Sequence, residues 1–165
     1  MKTTDMRNEL AQFGRGAHAL ATQILGNPAD AADAVQDAMT TVLGAPKSYD
    51  SNRGPLKPWF LRLVRNRCID LLRRRRPQDD KVEELLDIAP GPEQLAEQAD
   101  RDKQLKAALA SLKNDYRQII VLRDYMDMSY AQIADVMDIP QGTVMSRLHR
   151  ARIALAKAYG KDHEL

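Results

Sequence analysis

Apolar residues recur along this chain at the spacing of a helix face, and turn residues interrupt them at intervals. Leu10, Phe13, Ala17, Leu20 and Ile24 form the first stripe and predict one helix over residues 5–25. Gly26 is placed to end it, because glycine takes the left-handed C′ conformation cheaply. Asn27 then caps a second helix, residues 28–43, with Pro28 in its first turn. Ala31, Val35, Ala38 and Val42 line its inner side. Residues 44–58 (GAPKSYDSNRGPLKP) are a long loop of turn formers, a length often tied to function. A third helix is predicted over 59–76 on the stripe Leu61, Val64, Cys68 and Leu71. Prolines break the pattern over 77–98 and predict a linker. From Ala99 it resumes with Leu105, Ala108, Leu109 and Leu112. Asn114 or Asp115 caps the next helix, which carries Tyr116, Ile119, Ile120, Leu122 and Met126.

Residues 129–155 read as two helices joined by a tight turn. Ser129 with Gln132 is a capping box, and Tyr130, Ile133, Ala134 and Met137 form the first inner face. Pro140 makes Ile139 a boundary and fits the first turn of the second helix. There Val144, Leu148, Ala151 and Leu155 form one apolar stripe. The other side presents Thr143, Ser146, Arg147 and Arg150, with His149 and Arg152 beside them. This is the pattern of a helix-turn-helix. The bland alternative is a hairpin with a solvated charged face. Residues 143–161 hold five Lys or Arg and no acid, whereas a solvated face mixes signs.

Composition favours an all-α fold, and the length suits one domain or two small ones; the proline-broken stretch divides it as two small helical domains joined by a flexible linker. Aromatic residues are 5% of the 165, so the core is mainly aliphatic. The boundaries read as 1–76, a linker at 77–98, and 99–165. No segment approaches the ~20 apolar residues of a membrane span. The first residues lack the apolar stretch of a signal peptide. The single cysteine, Cys68, cannot form an intramolecular disulfide and points to a reducing, cytoplasmic setting.

The net charge of +2 hides segregation. Residues 62–76 carry seven basic groups and one acid; residues 77–98 carry seven acids and one lysine. Residues 143–165 are basic again, five against two. Two basic blocks flanking an acidic one suggest two contacts with a polyanion. Arginines at a helix C-terminus complement its dipole, but seven within 62–76 exceed that need, and phosphate contact accounts for them better. Asp30, Asp33 and Asp37 share one helix face without a nearby histidine, which suits a protein partner better than catalysis. There is no Gly-rich phosphate loop and no zinc spacing of Cys or His, so no cofactor is expected.

Together the halves resemble the sigma-70 family of bacterial RNA polymerase sigma factors. The short length is similar to the extracytoplasmic function (ECF) group, which keeps regions 2 and 4. The resemblance lies in NPADAADAVQDAMTTVL (27–43), YDSNRGPLKPWFLRLVRNRCIDLLRRRR (49–76) and LKNDYRQIIVLRDYMDMSYAQIADVMDIPQGTVMSRLHRARIAL (112–155). It implies that 1–76 is a region 2 helical bundle and 99–165 a region 4 helix-turn-helix. It implies core RNA polymerase as partner, with Asp33, Gln36 and Asp37 on the β′ clamp helices and region 4 near the β flap. The loop bearing Tyr49, Asn52, Arg53 and Lys57, with Trp59 and Asn66, would capture a flipped base of the promoter −10 element. Arg62, Arg65 and Arg67 would hold the strand by its phosphates. Ser146, His149 and Arg150 would face −35 bases, with Thr143 and Arg147 nearer the backbone and Arg152 alongside. Met145 stands where many relatives carry Lys or Arg. The acidic linker would thread toward the RNA exit channel, mimicking nucleic acid by charge. An anti-sigma factor commonly holds such proteins inactive.

That reading is a transcription initiation factor, not an enzyme, without membrane insertion. A free-standing helix-turn-helix regulator would need a ligand pocket or dimer interface in the first half, where an arginine-rich helix stands instead. A nuclease using Asp30, Asp33 and Asp37 would cut bare DNA with Mg²⁺.

Overall fold

The structure is a computed structural model and describes residues 2–75 and 96–161. Every regular element among them is helical. The single helix expected over 5–25 is two, α1 (Thr3–Gln12) and α2 (Gly14–Leu25). The chain breaks at Phe13, whose N–H turns back to the Leu10 carbonyl at 3.0 Å. Gly14 and Gly16 follow, each about 1 kcal/mol worse than alanine in a helix, so the break falls where helix propensity is weakest. Leu10, Ala17, Leu20 and Ile24 are buried as their spacing implied, and Phe13 is half-buried.

Gly26 ends α2 with φ 73°, in the left-handed region. Asn27 Oδ1 then accepts the N–H groups of Ala29 (2.8 Å) and Asp30 (3.2 Å) and starts α3 (Pro28–Gly44). The loop that follows is tightened by two 3-10 turns, Pro46–Ser48 and Ser51–Arg53. Helix α4 (Leu56–Arg74) begins three residues before the expected Trp59. Pro58 suggested a later start, yet first-turn N–H groups have no intrahelical acceptor, so proline is tolerated there. Leu61, Val64 and Cys68 are buried with Leu56 and Phe60; Leu71 is only half-buried.

The second half holds α5 (Ala96–Ala110), α6 (Asn114–Ile120), a π-helical continuation (Val121–Tyr125), α7 (Tyr130–Met137) and α8 (Gln141–Lys161). The linker expected over 77–98 lies outside the described residues as far as 95. The side-chain cap expected from Asn114 or Asp115 is absent. Lys113 precedes α6 without capping it, and Asn114 is already helical. Leu105 is 38% exposed, at the lip of a groove it forms with Leu155 and Tyr159. The Ser129–Gln132 capping box is present. Pro140 stands just outside α8, where its carbonyl accepts the Thr143 and Val144 N–H groups.

Helices α1–α4 and α5–α8 form two groups, and the groups share one apolar core running from Met6 to Ala151. Helix α2 meets α6, and α4 meets α7. The last four carbonyls of a helix need outside donors, and in α2 four different residues supply them. Gly26 N–H reaches Thr22 O at 2.8 Å, Arg75 Nη1 reaches Leu25 O at 3.0 Å, Asn114 Nδ2 reaches Ile24 O at 3.0 Å, and Arg117 Nε reaches Gln23 O at 3.1 Å. Two of those donors come from α6. Arg117 also donates to Leu112 O. Arg65 Nε of α4 donates to Gln118 Oε1 (2.6 Å), and Gln118 Nε2 donates to Asn114 Oδ1 (2.7 Å).

Candidate nucleic-acid interface

In α8, burial of Val144, Leu148 and Ala151 fixes the rotation of the helix. The outward side therefore carries Ser146, His149 and Arg150, all exposed. Met145, 56% exposed, adds an apolar side chain to that side. Thr143 and Arg147 are half-buried, and Arg147 lies 3.5 Å from Asp115. Arg152 is committed elsewhere, donating to both oxygens of Asp124 at 3.3 and 2.5 Å. That hydrogen bonding raises the Arg152 pKa. Of the six residues assigned to −35 DNA, three are exposed on one face, with the Ser146 hydroxyl donating to Thr143 O at 3.2 Å.

The second site is a cleft of about 590 Å³ beside the start of α4. Tyr49, Arg53, Trp59, Arg62 and Asn66 line it, which gathers much of the expected base-capture set. The Tyr49 and Trp59 rings lie 5.1 Å apart at 50°. The Tyr49 hydroxyl donates to Gly54 O at 2.8 Å, which folds the loop over the ring, and Gly54 takes φ 140° to allow it. Burial raises the Tyr49 pKa, with Glu9 and Asp50 adding to it, so the phenol stays protonated and keeps this hydrogen bond. An aromatic pair with an amide and two guanidiniums can stack a base, read its edge and hold its phosphate. Asn52 and Lys57 do not line the cleft. Lys57 sits over the Phe13 ring at 6.0 Å.

Arg65 and Arg67 of α4 turn to protein partners. Arg65 is half-buried against Gln118, and burial lowers its pKa from the ordinary guanidinium value, with Asp115 opposing. Arg67 reaches Asp37 at 3.2 Å. Asp33, Gln36 and Asp37 are all exposed on α3, opposite Ala31, Val35 and Val42. Asp30 pairs with Arg75 instead. Among the described residues no cluster of His, Cys, Asp or Glu is arranged to hold a metal. Burial pushes the Cys68 thiol up to about 12, so it is a core group rather than a nucleophile.

Four residues at these sites escaped the sequence pattern. Arg117 and Gln118 are buried charged and polar groups whose partners lie in the other half. Asp135 lines the cleft, and Asp138 lies 3.5 Å from Arg62. Only Asp138 left a local trace, as the residue that ends α7 with φ 55°.

Two family descriptions match the chain: sigma-70 region 2 over residues 10–78, and sigma-70, region 4 over residues 102–155. The ECF RNA polymerase sigma factor SigM of Mycobacterium tuberculosis is 32% identical over 146 residues, covering 88% of this chain and 72% of SigM. This chain belongs to the ECF group of the sigma-70 family. The ECF RNA polymerase sigma factor SigE of Mycolicibacterium smegmatis is 33% identical over 146 residues, 86% of this chain. The chain spans 56% of that relative's length. A sigma factor RpoE, solved in complex with the anti-sigma factor NepR from Bartonella quintana, superposes with a TM-score of 0.73 at 26% identity. That likeness covers 93% of this chain and 96% of RpoE. The cleft belongs to the part matched to region 2, and α7–α8 to the part matched to region 4. Among the described residues no helix is long and apolar enough to cross a membrane.

Proposed function

We propose that the protein binds core RNA polymerase and directs promoter-specific initiation, reading a −35 element with α8 and capturing a −10 base in the cleft. It acts without catalysis of its own, in the cytoplasm. What carries this reading is α8: its buried stripe turns Ser146, His149 and Arg150 outward together. A helix so presented fits the major groove, where arginine pairs with guanine by two hydrogen bonds. The exposed Asp33, Gln36 and Asp37 fit a basic polymerase surface, so they are assigned to docking. Arg152, held by Asp124, is assigned to positioning α8 rather than to a base. An anti-sigma factor is the expected inhibitor, because the similar RpoE is bound by one.

Run-off transcription with purified core polymerase tests the whole reading, and Arg150→Ala tests its centre. Loss of one bidentate contact is worth about 1–3 kcal/mol of discrimination at one or two base pairs. Across a panel of −35 variants the mutant is expected to lose preference at those positions. A uniform drop on every promoter would make Arg150 a phosphate ligand, and absence of initiation with core polymerase would remove the function.

A further inference from the structure

One side chain on the outward side of α8 has neither a charge nor a hydrogen to donate. Met145 is 56% exposed and stands next to Ser146 and one turn before His149. The core of this helix comes from Val144, Leu148 and Ala151, and Met145 takes no part in it. A thioether is at best a weak acceptor, so it holds no phosphate. A singly exposed apolar residue is ordinary on a protein surface. This one stands inside a set of polar side chains turned toward one ligand.

Its place on the helix is specific. Helix α8 begins at Gln141, so Met145 is its fifth residue. It belongs to the N-terminal part, which reaches base edges when a recognition helix enters the major groove. Residues four apart share a helix face. Met145 and His149 form one row, and Ser146 and Arg150 form the row beside it. Met145 precedes Arg150 by five residues, about 7.5 Å along the axis. That is about two base pairs at 3.4 Å each. Ile153, also exposed, lies about 12 Å beyond Met145 and outside the N-terminal part.

The base edges in the major groove present hydrogen-bond donors and acceptors and a single kind of apolar group, the C5 methyl of thymine. An unbranched, polarizable methionine adapts readily to such a surface. Against a guanine or cytosine edge it would cover polar groups without satisfying them.

We propose that Met145 is a specificity-determining residue that packs on the C5 methyl of a thymine in the −35 element, about two base pairs from the guanine read by Arg150. The proposal rests on α8 being the base-reading helix. Met145 then adds a preference for thymine to the preference for guanine that Arg150 supplies.

Deoxyuridine keeps the hydrogen-bonding edge of thymine and lacks its methyl. The test is initiation by the full-length protein with core polymerase on a −35 panel. The panel holds thymine or deoxyuridine in turn at each position of each strand. In the parent, deoxyuridine is expected to lower initiation about fourfold at one position, the equivalent of one methyl-sized group left unburied. Met145→Ala should erase that difference, and Met145→Leu, of similar volume, should keep most of it. Ile153→Ala should leave it unchanged. Equal initiation on thymine and deoxyuridine at every position would overturn the proposal. A difference that survives in Met145→Ala would belong to the DNA itself and overturn it too. So would one that Ile153→Ala removes equally, since it would report the integrity of α8. Arg150→Ala on the same panel separates the premise. If every −35 preference persists without Arg150, α8 is not the reading helix. If preference is lost there while thymine and deoxyuridine stay equal in the parent, only the role of Met145 falls.

Discussion

Arg117 shows how one side chain can join two halves of a chain. Its guanidinium sits at the C-terminal end of α2, where the helix dipole favours a cation, and bonds both Gln23 O and Leu112 O. Burial lowers its pKa from the ordinary value, the cost of removing the charge from water. Arg117→Ala would leave two buried carbonyls without that donor, and a loss of about 2–3 kcal/mol is expected. The urea midpoint measures it, and Arg117→Lys should recover only part because an ammonium cannot fork between the two. Cys68 makes a second residue-scale case. Its folded pKa, about 12, lies above the ordinary thiol value of about 8.5. The unfolded chain therefore releases this proton first, and the stabilising contribution is full below about pH 8.5 and lost as pH rises toward 12. Stability measured from neutral to alkaline pH should fall more steeply in the parent than in Cys68→Ala. Cys68 was legible as a core residue from its helical spacing alone. Arg117 was not, because nothing local tells a buried arginine from a solvated one.

At the scale of elements, some helix ends were legible and others were not: Gly26 ends α2 as expected, while Pro58 and Asn114 misled. Asn27 and Ser129 cap as their sequence contexts implied. Pro58 misled, since a proline one turn into α4 is compatible with a helix already begun at Leu56. Asn114 misled in the opposite sense. It is a good capping residue by type, but its amide is spent on Ile24 O across the interface. The break at Phe13 divides a stripe that stays in phase on both sides, so periodicity could not reveal it. The Ser129 box holds the first helix of the helix-turn-helix, with Gln132 Oε1 accepting the Ser129 N–H at 3.1 Å and Ser129 Oγ accepting the Gln132 N–H at 3.1 Å. Ser129→Ala is expected to cost about 1 kcal/mol, read as a lower thermal midpoint. Ser129→Asp, which keeps an acceptor, should retain most of the stability.

At the scale of the molecule, charge segregation predicted two nucleic-acid contacts but not that the two halves would lie against each other. Periodicity marks which face of a helix is buried, not which neighbour buries it. Here the buried faces of α2, α4, α6 and α7 complete one core, and α2 owes two of its terminal hydrogen bonds to α6. Such sharing ties the stability of one half to the presence of the other, so a single cooperative unfolding transition is expected. Trp59, the only tryptophan, sits on α4 and reports on the first half, whereas far-UV circular dichroism reports on helices of both. The two urea curves should coincide for the parent protein. In Arg117→Ala, with the α2–α6 link weakened, they should separate. Separate curves in the parent would mean that the halves unfold independently and that their contact contributes little to stability.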